Sequence, residues 1–505
     1  MKNFAKLLVV ALSVAMIASL LALIPSAAAE TLIDPNTLTP GSERVVFIKD
    51  AERDENNLVV GELPGDGSGS DAENPLIPMD HEDFDPGADY PKYHLQTAFY
   101  QATEMLKDTG GTIVVCGPVY FGIYESYGSG GSTRDTFTAK FGENTIKVTS
   151  VYNGVDYRET AGAKITIALP AEIGMYGQSI WENIDIETAD THRVISFSNY
   201  ATLVGEGVKC YPSDEAFEGV AANYVSLSGG HRYSGGVDLT TNLVVKSGSY
   251  NVIAAGEWGV NNTRRYNDAE DPNSGIKSSN NLDGNTRANV VLEGTTTVYG
   301  AINGTNQSSK TEFSGNTYIT INDGNYECDI NGCGASGFIN DNAEVHIKIN
   351  GGKFRNAWSI NDSYAGCSNL VPAVSHLDFS GWKGELEELA AAFSVVTTFT
   401  QISLPEGVTE DKLVEIAESL VEETEPEETE PTTPDATEPT ADATEPVADA
   451  TEPQKDDEKE SETVPENNNG GNGGINPVIF IVIGIVVVVA VVVVLVIVLG
   501  KKKKA

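Results

Sequence analysis

A 28-residue repeat is the feature of this sequence that most restricts how the chain can fold. The segment Thr317–Tyr326 (TYITINDGNY) superimposes on Val345–Phe354 (VHIKINGGKF) at an offset of 28 residues. In both copies the apolar residues alternate and a glycine turn follows, which is typical of β-strands. Less regular copies occur at residues 163–169, 181–186, 194–197, 242–250 and 289–298. Short strands and glycine turns that recur every 20 to 50 residues or so predict a solenoid of stacked strands.

The kind of solenoid follows from the number of strands in each period. Two or three strands per period and almost no helix predict an all-β chain folded as a parallel β-helix. The copies that begin at Asn242 and Asn289 are 47 residues apart. We therefore expect an insertion over residues 260–288 in one turn of the solenoid.

The residues before the repeats carry a resemblance to a known superfamily. Gly65-Asp66-Gly67 and Asn74-Pro75 are followed by Leu95–Leu106 (LQTAFYQATEML) and then by Gly110–Gly117 (GGTIVVCG). This arrangement resembles the start of right-handed parallel β-helix proteins of the pectin-lyase-like superfamily. The resemblance spans roughly residues 45–382. It implies a helix that caps the N-terminal end, with the Gly-Gly-Thr-Ile-Val-Val strand opening the first coil.

Both ends of the solenoid are predicted to be closed by helices. Leu95, Phe99, Ala102 and Leu106 fall on one helical face that can cover the open apolar end of the coil. After Trp382 the pattern changes to a helix, a strand and a second helix, expected over Glu385–Phe393, Val395–Leu404 and Glu410–Ser419. Thr409 is the expected N-cap of the last helix. The chain is thus divided into a β-helix domain at 30–382 and a small α/β C-terminal cap at 383–421.

The two ends of the chain are predicted to be membrane segments. Residues 1–29 have the charged, apolar and small-residue parts of a secretory signal peptide, with an uncleaved anchor as the alternative. Residues 478–499 are 22 uncharged residues, nearly all Val, Ile and Leu. That length suffices for one transmembrane helix. The lysine-rich tail at 500–505 is expected in the cytoplasm, which places the body of the protein outside the membrane.

Between the cap and the membrane helix lies a predicted disordered stalk, residues 422–474. It repeats Thr-Glu-Pro five times and has 18 acidic residues, two lysines, seven prolines and no aromatic residue. Such a composition cannot bury enough apolar surface to fold. We expect an extended, self-repelling spacer that holds the domain away from the membrane.

Charge and cysteine content exclude several classes of function. The formal net charge of the chain is −41. The signal segment contributes +2, the stalk −16 and the tail +4, which leaves −31 on residues 30–421. A domain this acidic repels nucleic acid and strongly anionic polymers, including polygalacturonate unless Ca²⁺ bridges the charges. Five cysteines are too few and too odd in number for a disulfide framework, so we expect buried thiols, with a Cys328–Cys333 bridge as the alternative.

Catalytic signatures of the superfamily are missing from the sequence. It lacks the Arg-x-Pro-x-x-Arg pattern of pectate lyases and the Asn-Thr-Asp, Asp-Asp, His-Gly and Arg-Ile-Lys patterns of polygalacturonases. Because neighbouring coils bring together residues about 28 positions apart, a catalytic group could still be assembled without a linear motif. The catalytic residues, if there are any, are not identified, and whether the protein is an enzyme stays open.

Aromatic residues near polar groups suggest a binding site instead. Trp258 lies in a glycine-rich turn before the insertion, Arg264 and Arg265 lie within the insertion, and Trp358 occupies what reads as the equivalent stretch two coils later. Exposed tryptophan beside carboxylates and carboxamides suits the stacking and hydrogen bonding of sugar rings. The alternative is that both tryptophans fill or cap the coil. Asparagine-rich turns, which include Asn303 and Asn331, can equally be explained as stacked turn ladders.

Two acidic strings are candidates for Ca²⁺, the one cofactor that the sequence suggests. Carboxylate oxygens suit this cation, although neither string has the spacing of an EF-hand and the alternative is a pair of solvated loops. The candidate ligands are Asp66, Asp71, Glu73, Asp80, Asp83 and Asp85.

Together these features predict a monomeric protein on the surface of a bacterium with a Gram-positive-like envelope. The β-helix is expected to be displayed on the stalk, to be anchored through one C-terminal helix and to bind an extracellular glycan or another surface ligand, as an adhesin does. Two alternatives are a membrane-tethered polysaccharide lyase or glycoside hydrolase, and a structural envelope spacer.

Overall fold

The computed structural model describes fourteen stretches of the chain, all of which belong to one compact unit, Met1–Glu427. They are residues 32–50, 65–76, 98–121, 136–167, 172–188, 193–197, 200–230, 240–256, 287–304, 312–313, 316–332, 338–339, 344–362 and 372–422. The predicted signal peptide, most of the stalk, the membrane helix and the lysine tail lie outside these residues. None of the helices within the described stretches is long and apolar enough to cross a membrane.

The described residues are mainly β-structure. The strands are β1 Val45–Ile48, β2 Gly111–Val115, β3 Pro118–Phe121, β4 Thr136–Thr149, β5 Val151–Tyr152, β6 Val155–Asp156, β7 Lys164–Ile167, β8 Glu172–Glu182, β9 Asp185–Thr188, β10 Val194–Ser196, β11 Thr202–Val204, β12 Lys209–Pro212, β13 Ser226–Ser228, β14 Leu243–Val245, β15 Ser249–Ala254, β16 Arg287–Leu292, β17 Thr297–Asn303, β18 Glu312–Phe313, β19 Asn316–Ile321, β20 Asn325–Tyr326, β21 Asp329–Asn331, β22 Phe338–Ile339, β23 Glu344–Ile349, β24 Ser359–Asn361, β25 Val374–Asp378 and β26 Gln401–Ser403. The helices are α1 Ala98–Leu106, α2 Tyr157–Ala161, α3 Leu386–Ser394 and α4 Glu410–Glu422, with short 3₁₀ turns at Pro35–Thr37, Glu215–Phe217 and Ala221–Asn223.

Eighteen of these strands form one sheet in which every pairing is parallel. Its strands follow two stacks, which we call ladder A and ladder B. Ladder A contains β1, β2, the second halves of β4 and β8, then β11, β14, β16, β19, β23, β25 and β26. Ladder B contains the first halves of β4 and β8, then β10, β13, the second halves of β15 and β17, β21 and β24.

A third stack, ladder C, completes each turn of the chain. It contains β3, β7, β9 and β12, which form a separate parallel sheet, and continues through the first residues of β15 and β17 to β20. From β7 onwards the chain visits the three ladders in the constant order C, B, A. An all-parallel sheet visited in a fixed order is compatible with a β-helix solenoid.

The 28-residue repeat determines the register of this stack, as the sequence predicts. β19 and β23 pair in parallel with Ile319 opposite Ile347 and Ile321 opposite Ile349. These isoleucines are buried, and they belong to one hydrophobic core that runs from Val46 to Leu413. Alternation along β19 and β23 therefore puts these isoleucines inside and side chains such as Tyr318 and Lys348 outside.

A buried asparagine ladder runs along ladder B. Asn331 Nδ2 donates to Asn303 Oδ1 at 3.0 Å, and Asn361 Nδ2 donates to Asn331 Oδ1 at 3.2 Å. All three side chains are buried. Asn303 and Asn331 thus stack as predicted, but they end strands β17 and β21 instead of occupying turns, and neither has a left-handed backbone.

Both predicted closing elements contribute to the core. Phe99, Ala102 and Leu106 of α1 are fully buried, whereas Leu95 lies outside the described residues. At the other end, Leu389 of α3 and Leu413 of α4 join the same core, so these helices close the C-terminal turn.

Three predicted elements have different bounds in the structure. The predicted strand over 181–186 is wrong, because Asn183 takes a left-handed conformation (φ 48°) that separates β8 from β9. The predicted strand over 395–404 is limited to Gln401–Ser403, and α4 continues three residues past Ser419. These changes occur where the chain turns between ladders or ends, and hydrophobic alternation gives no information on turn geometry.

The cysteines that the structure describes are packing residues. Cys116, Cys210 and Cys328 are buried free thiols, so Cys328 forms no disulfide. Burial raises the pKa of Cys116 to about 11 and that of Cys210 to about 12, which keeps both protonated. Cys333 and Cys367 lie outside the described residues.

Candidate functional site

Trp358 is the most exposed large apolar side chain in the described part of the chain. Its exposed fraction is 62%. It directly precedes β24, at the corner where the chain passes from ladder C to ladder B, and its backbone N–H donates to Cys328 O at 3.1 Å. Among the described residues, no aromatic ring stacks on the indole. The predicted binding residue is thus a large ring open to solvent, and the alternative that it fills the coil is wrong for Trp358.

Two carboxylates lie on the neighbouring turn next to Trp358. Cys328, which accepts the Trp358 N–H bond, is buried, and the residues on either side of it, Glu327 and Asp329, are partly exposed. Asn325 Nδ2 donates to Glu327 Oε1 at 3.1 Å, and Ser359 Oγ donates to Asp329 Oδ1. The neutral donors orient both carboxylates without neutralising them.

A second aromatic ring lies one further turn back. Tyr299 packs against Tyr224 with the ring centroids 4.8 Å apart. Burial is the main reason that the pKa of Tyr299 is raised to about 12, and the charge of nearby Glu327 adds to it. The hydroxyl therefore stays protonated, and it already forms hydrogen bonds with Tyr224 and Ser249. Register places Tyr299 two strand spacings from Trp358, roughly 10 Å along the stack.

We call Tyr299, Glu327, Asp329 and Trp358 the corner patch. It combines an open indole, a half-buried phenol and two carboxylates held by neutral donors. The patch can stack an apolar sugar face on the indole, and its carboxylates can accept hydrogen bonds from sugar hydroxyls. Glu327 and Tyr299 were not predicted from the sequence, because their copies at this corner differ in length and align only in three dimensions.

The other predicted binding residues cannot be placed in this patch. Trp258, Arg264 and Arg265 lie outside the described residues, so their role stays a prediction. Trp258 follows its ladder B strand, which ends at Ala254, whereas Trp358 precedes its own, which begins at Ser359. The expectation that the two tryptophans occupy equivalent stretches is therefore wrong. The positions aligned with Trp358 on the two preceding turns are Cys328 and Gly300.

The first acidic string is part of a loop that protects one edge of the sheet. Phe47 N–H donates to Gly69 O at 2.9 Å, and Leu76 N–H donates to Phe47 O at 2.7 Å, so the loop covers the outer edge of β1. Such cover prevents an exposed strand edge from pairing with another chain.

Two of the predicted calcium ligands in this loop, Asp66 and Asp71, accept hydrogen bonds from the loop itself. Hydrogen bonds from Ser68 lower the pKa of Asp66, and hydrogen bonds from Asn74 lower the pKa of Asp71. In the described stretches, no three His, Cys, Asp or Glu side chains are arranged to hold a metal ion together. Asp80, Asp83 and Asp85 lie outside these stretches, and calcium binding there stays a prediction.

A different aromatic arrangement follows the outer face of ladder A. The Arg287 guanidinium lies 4.2 Å from the centroid of the Tyr318 ring. Tyr318 and His346 stack with centroids 4.9 Å apart and planes 5° apart, and His346 meets His376 edge to face at 6.5 Å. We call Arg287, Tyr318, His346 and His376 the ladder A stack.

Both histidines of the ladder A stack have a polar partner outside the stack. His346 Nε2 is 3.0 Å from Glu344 Oε2, and His376 Nε2 is 2.9 Å from Ser403 Oγ. Because the ring faces cover one another, the stack presents ring edges to solvent. The 28-residue offset already aligned Tyr318 with His346, which was the available signal for this arrangement.

No protein-family model, curated protein or solved structure matches this chain.

Proposed function

We propose that this chain is a right-handed parallel β-helix protein of the pectin-lyase-like kind that binds an extracellular glycan through the corner patch. The predicted stalk and C-terminal membrane helix would display it as a monomer on the outside of the cell. Support for the fold comes from the parallel ladders visited in constant order and from α1, which closes the N-terminal end.

The exposed ring of Trp358 is the observation that carries the binding function. Leaving an indole in water forgoes on the order of 2 kcal/mol of burial free energy. Aromatic rings that cover an apolar sugar face recover that energy when the ligand binds. Glu327 and Asp329 lie one strand spacing away and can accept hydrogen bonds from sugar hydroxyls, and the Tyr299 ring lies one spacing further.

Retention on a polysaccharide array tests the proposal. The full chain in detergent micelles should be retained by at least one polysaccharide, and Trp358→Ala should weaken retention by about tenfold or more. Val155→Ala is the control, because Val155 is also an exposed apolar side chain (40%) but lies in the β5–β6 hairpin, several turns away from the patch. Its retention should equal that of the unmodified protein.

The same array distinguishes the three functions. Retention without chemical change supports binding. Release of reducing ends or unsaturated products would identify an enzyme, and failure to bind every polysaccharide would favour a structural spacer.

One observation favours glycoside hydrolysis as the second candidate. Asp185 and Glu187 are alternate residues of β9 and so lie on one face of ladder C. Burial raises the pKa of Asp185 despite the nearby charges of Lys209 and Arg158, while Glu187 Oε1 pairs with Lys164 Nζ at 2.6 Å. A carboxyl with a raised pKa next to a second carboxylate is an arrangement that glycosidases use.

The hydrolytic alternative predicts a distinct mutant pattern. Asp185→Asn and Glu187→Gln should each abolish release of reducing ends while leaving retention on the array intact. If product release is absent from the unmodified protein, this alternative is wrong.

A further inference from the structure

The charge of the corner patch narrows the class of glycan that it can bind. Glu327 and Asp329 lie on either side of Cys328, and among the described residues neither carboxylate forms an ion pair with lysine or arginine. Two cations lie on the next turn: Arg355, whose Nε lies 2.9 Å from Glu388 Oε1, and Lys353, whose backbone pairs with Asn325. Within the described residues the patch therefore presents two carboxylates without an ion-pair partner, on the turn next to an open indole.

These charges discriminate among glycans by the sign of their charge. A uronate-bearing chain would bring like charges together, which opposes binding. A neutral chain would lose water from two carboxylates and replace it with hydroxyl hydrogen bonds only. A chain with protonated amines would gain charge-assisted hydrogen bonds to the carboxylates, which are about twice as strong as neutral ones.

The indole reinforces the same preference. An ammonium group close to the face of tryptophan is attracted by the ring quadrupole. The net charge of −31 on residues 30–421 also raises the local concentration of cationic ligands around the domain.

We infer that the corner patch takes an amino-sugar glycan whose amines are protonated, with Glu327 and Asp329 accepting from the ammonium groups and Trp358 stacking on a sugar ring. This inference rests on the proposed glycan-binding function and specifies its ligand. The roughly 10 Å between the turns of Tyr299 and Trp358 suits alternate rings of an extended hexosamine chain.

Calorimetric titration of the full chain in detergent micelles tests the inference with two ligands that share a sugar backbone and differ in whether the amines are free and protonated or acetylated and neutral. The probes are the hexamer of glucosamine, measured below the pKa of its amines, and the hexamer of N-acetylglucosamine. The amine hexamer should bind about tenfold more tightly at an ionic strength of about 0.01 M, and this preference should shrink at about 0.3 M.

Two double variants, each lacking two negative charges, show which carboxylates cause the preference for the amine hexamer. The double variant Glu327→Gln/Asp329→Asn should reduce the preference to about twofold, because it weakens the binding of the amine hexamer more than that of the N-acetylated hexamer. The control Asp411→Asn/Glu415→Gln removes the same two charges from the exposed face of α4 and should keep the preference.

Three results would overturn the inference. One is that neither hexamer binds or that both bind equally. Another is that the preference persists in the Glu327/Asp329 variant, which would assign it to the acidic stalk or to the domain as a whole. The third is that a lysine hexamer binds as tightly and with the same dependence on Trp358, since the ligand would then be a cationic peptide. In each case retention of other glycans on the array would leave the proposed function standing.

Discussion

The corner patch and the ladder A stack both place aromatic rings outside the core, yet only the corner patch leaves a ring open. On ladder A the register puts His346 directly after Tyr318, and Arg287 reaches the Tyr318 ring from two residues away on the preceding turn, so Tyr318 is covered by both. At the corner, the positions aligned with Trp358 are a buried cysteine and a glycine. In a stacked structure, what occupies the same position on the next turn decides whether a ring stabilises the fold or remains available to a ligand.

The largest expected effect concerns the inward column of the repeat. Ile347→Asp should lower the free energy of unfolding by about 4 kcal/mol or more, because an unpaired carboxylate would replace a buried isoleucine between Ile319 and Leu377. Lys348→Asp places the same carboxylate one residue later on the exposed face and should cost less than about 1 kcal/mol. Chemical denaturation of both variants gives the comparison, and equal stabilities would contradict the inward placement of Ile347.

A smaller effect is expected where side chains form ladders. Asn331→Ala removes the partner of both Asn303 and Asn361 inside the fold and should cost about 1–3 kcal/mol in unfolding free energy. The exposed ladder on the outside of ladder A provides the control, since Asn350 Nδ2 donates to Asn322 Oδ1 at 2.8 Å. Asn322→Ala should cost less than about 0.5 kcal/mol because water replaces the lost bond. If Asn322→Ala costs as much as Asn331→Ala, burial does not explain why the two ladders differ in their contribution to stability.

The ladder A stack is expected to matter for stability and not for glycan binding. Tyr318→Ala removes one cation–π contact and one ring stack, which should lower the unfolding free energy by about 1 kcal/mol. Retention on the polysaccharide array should be unchanged, in contrast to that of Trp358→Ala. Loss of retention in Tyr318→Ala with full stability would transfer the ligand site to ladder A.

The smallest expected effect is a pH dependence of the stability, which arises from Asp378 on the exposed face of ladder A. Partial burial raises the pKa of Asp378, but hydrogen bonds from Ser380 and the charge of Lys348 outweigh it, so the pKa lies below its usual value. A depressed carboxyl pKa stabilises the fold above the unfolded-state value of about 3.9, and that contribution is lost as the pH falls through the folded-state value. Asp378→Asn should therefore be slightly less stable than the unmodified chain at pH near 7, by less than about 1 kcal/mol.

Denaturation across the acidic range checks this sign. The stability difference between Asp378→Asn and the unmodified chain should shrink as the pH falls below about 4. A difference that grows on acidification would contradict the assigned direction.

Sequence periodicity predicts the parts of this fold that repeat and misses the parts that do not. The offset between Ile319 and Ile347 gave both the strand period and the register of β19 and β23. The helical face of α1 was readable because its buried residues recur at helical spacing. Both features depend only on local alternation of apolar side chains.

The candidate site is less predictable because it lies at an irregular corner. Trp358 was identified as an aromatic residue beside polar groups, but its presumed equivalence to Trp258 ignored which end of ladder B each one occupies. Tyr299 and Glu327 come together through pairing of β17 with β20, across a corner whose length changes from turn to turn. Linear patterns do not report such contacts.

Tryptophan fluorescence tests the central claim that Trp358 is the contact with the glycan. The chain has four tryptophans, and Trp181 is fully buried. Titration of the full chain with the glucosamine and N-acetylglucosamine hexamers should shift the emission to shorter wavelength as a ligand covers the exposed indole. Trp358→Tyr should abolish this shift and change the affinity of the protein for whichever hexamer binds. The same shift and the same affinity in Trp358→Tyr would contradict the claim.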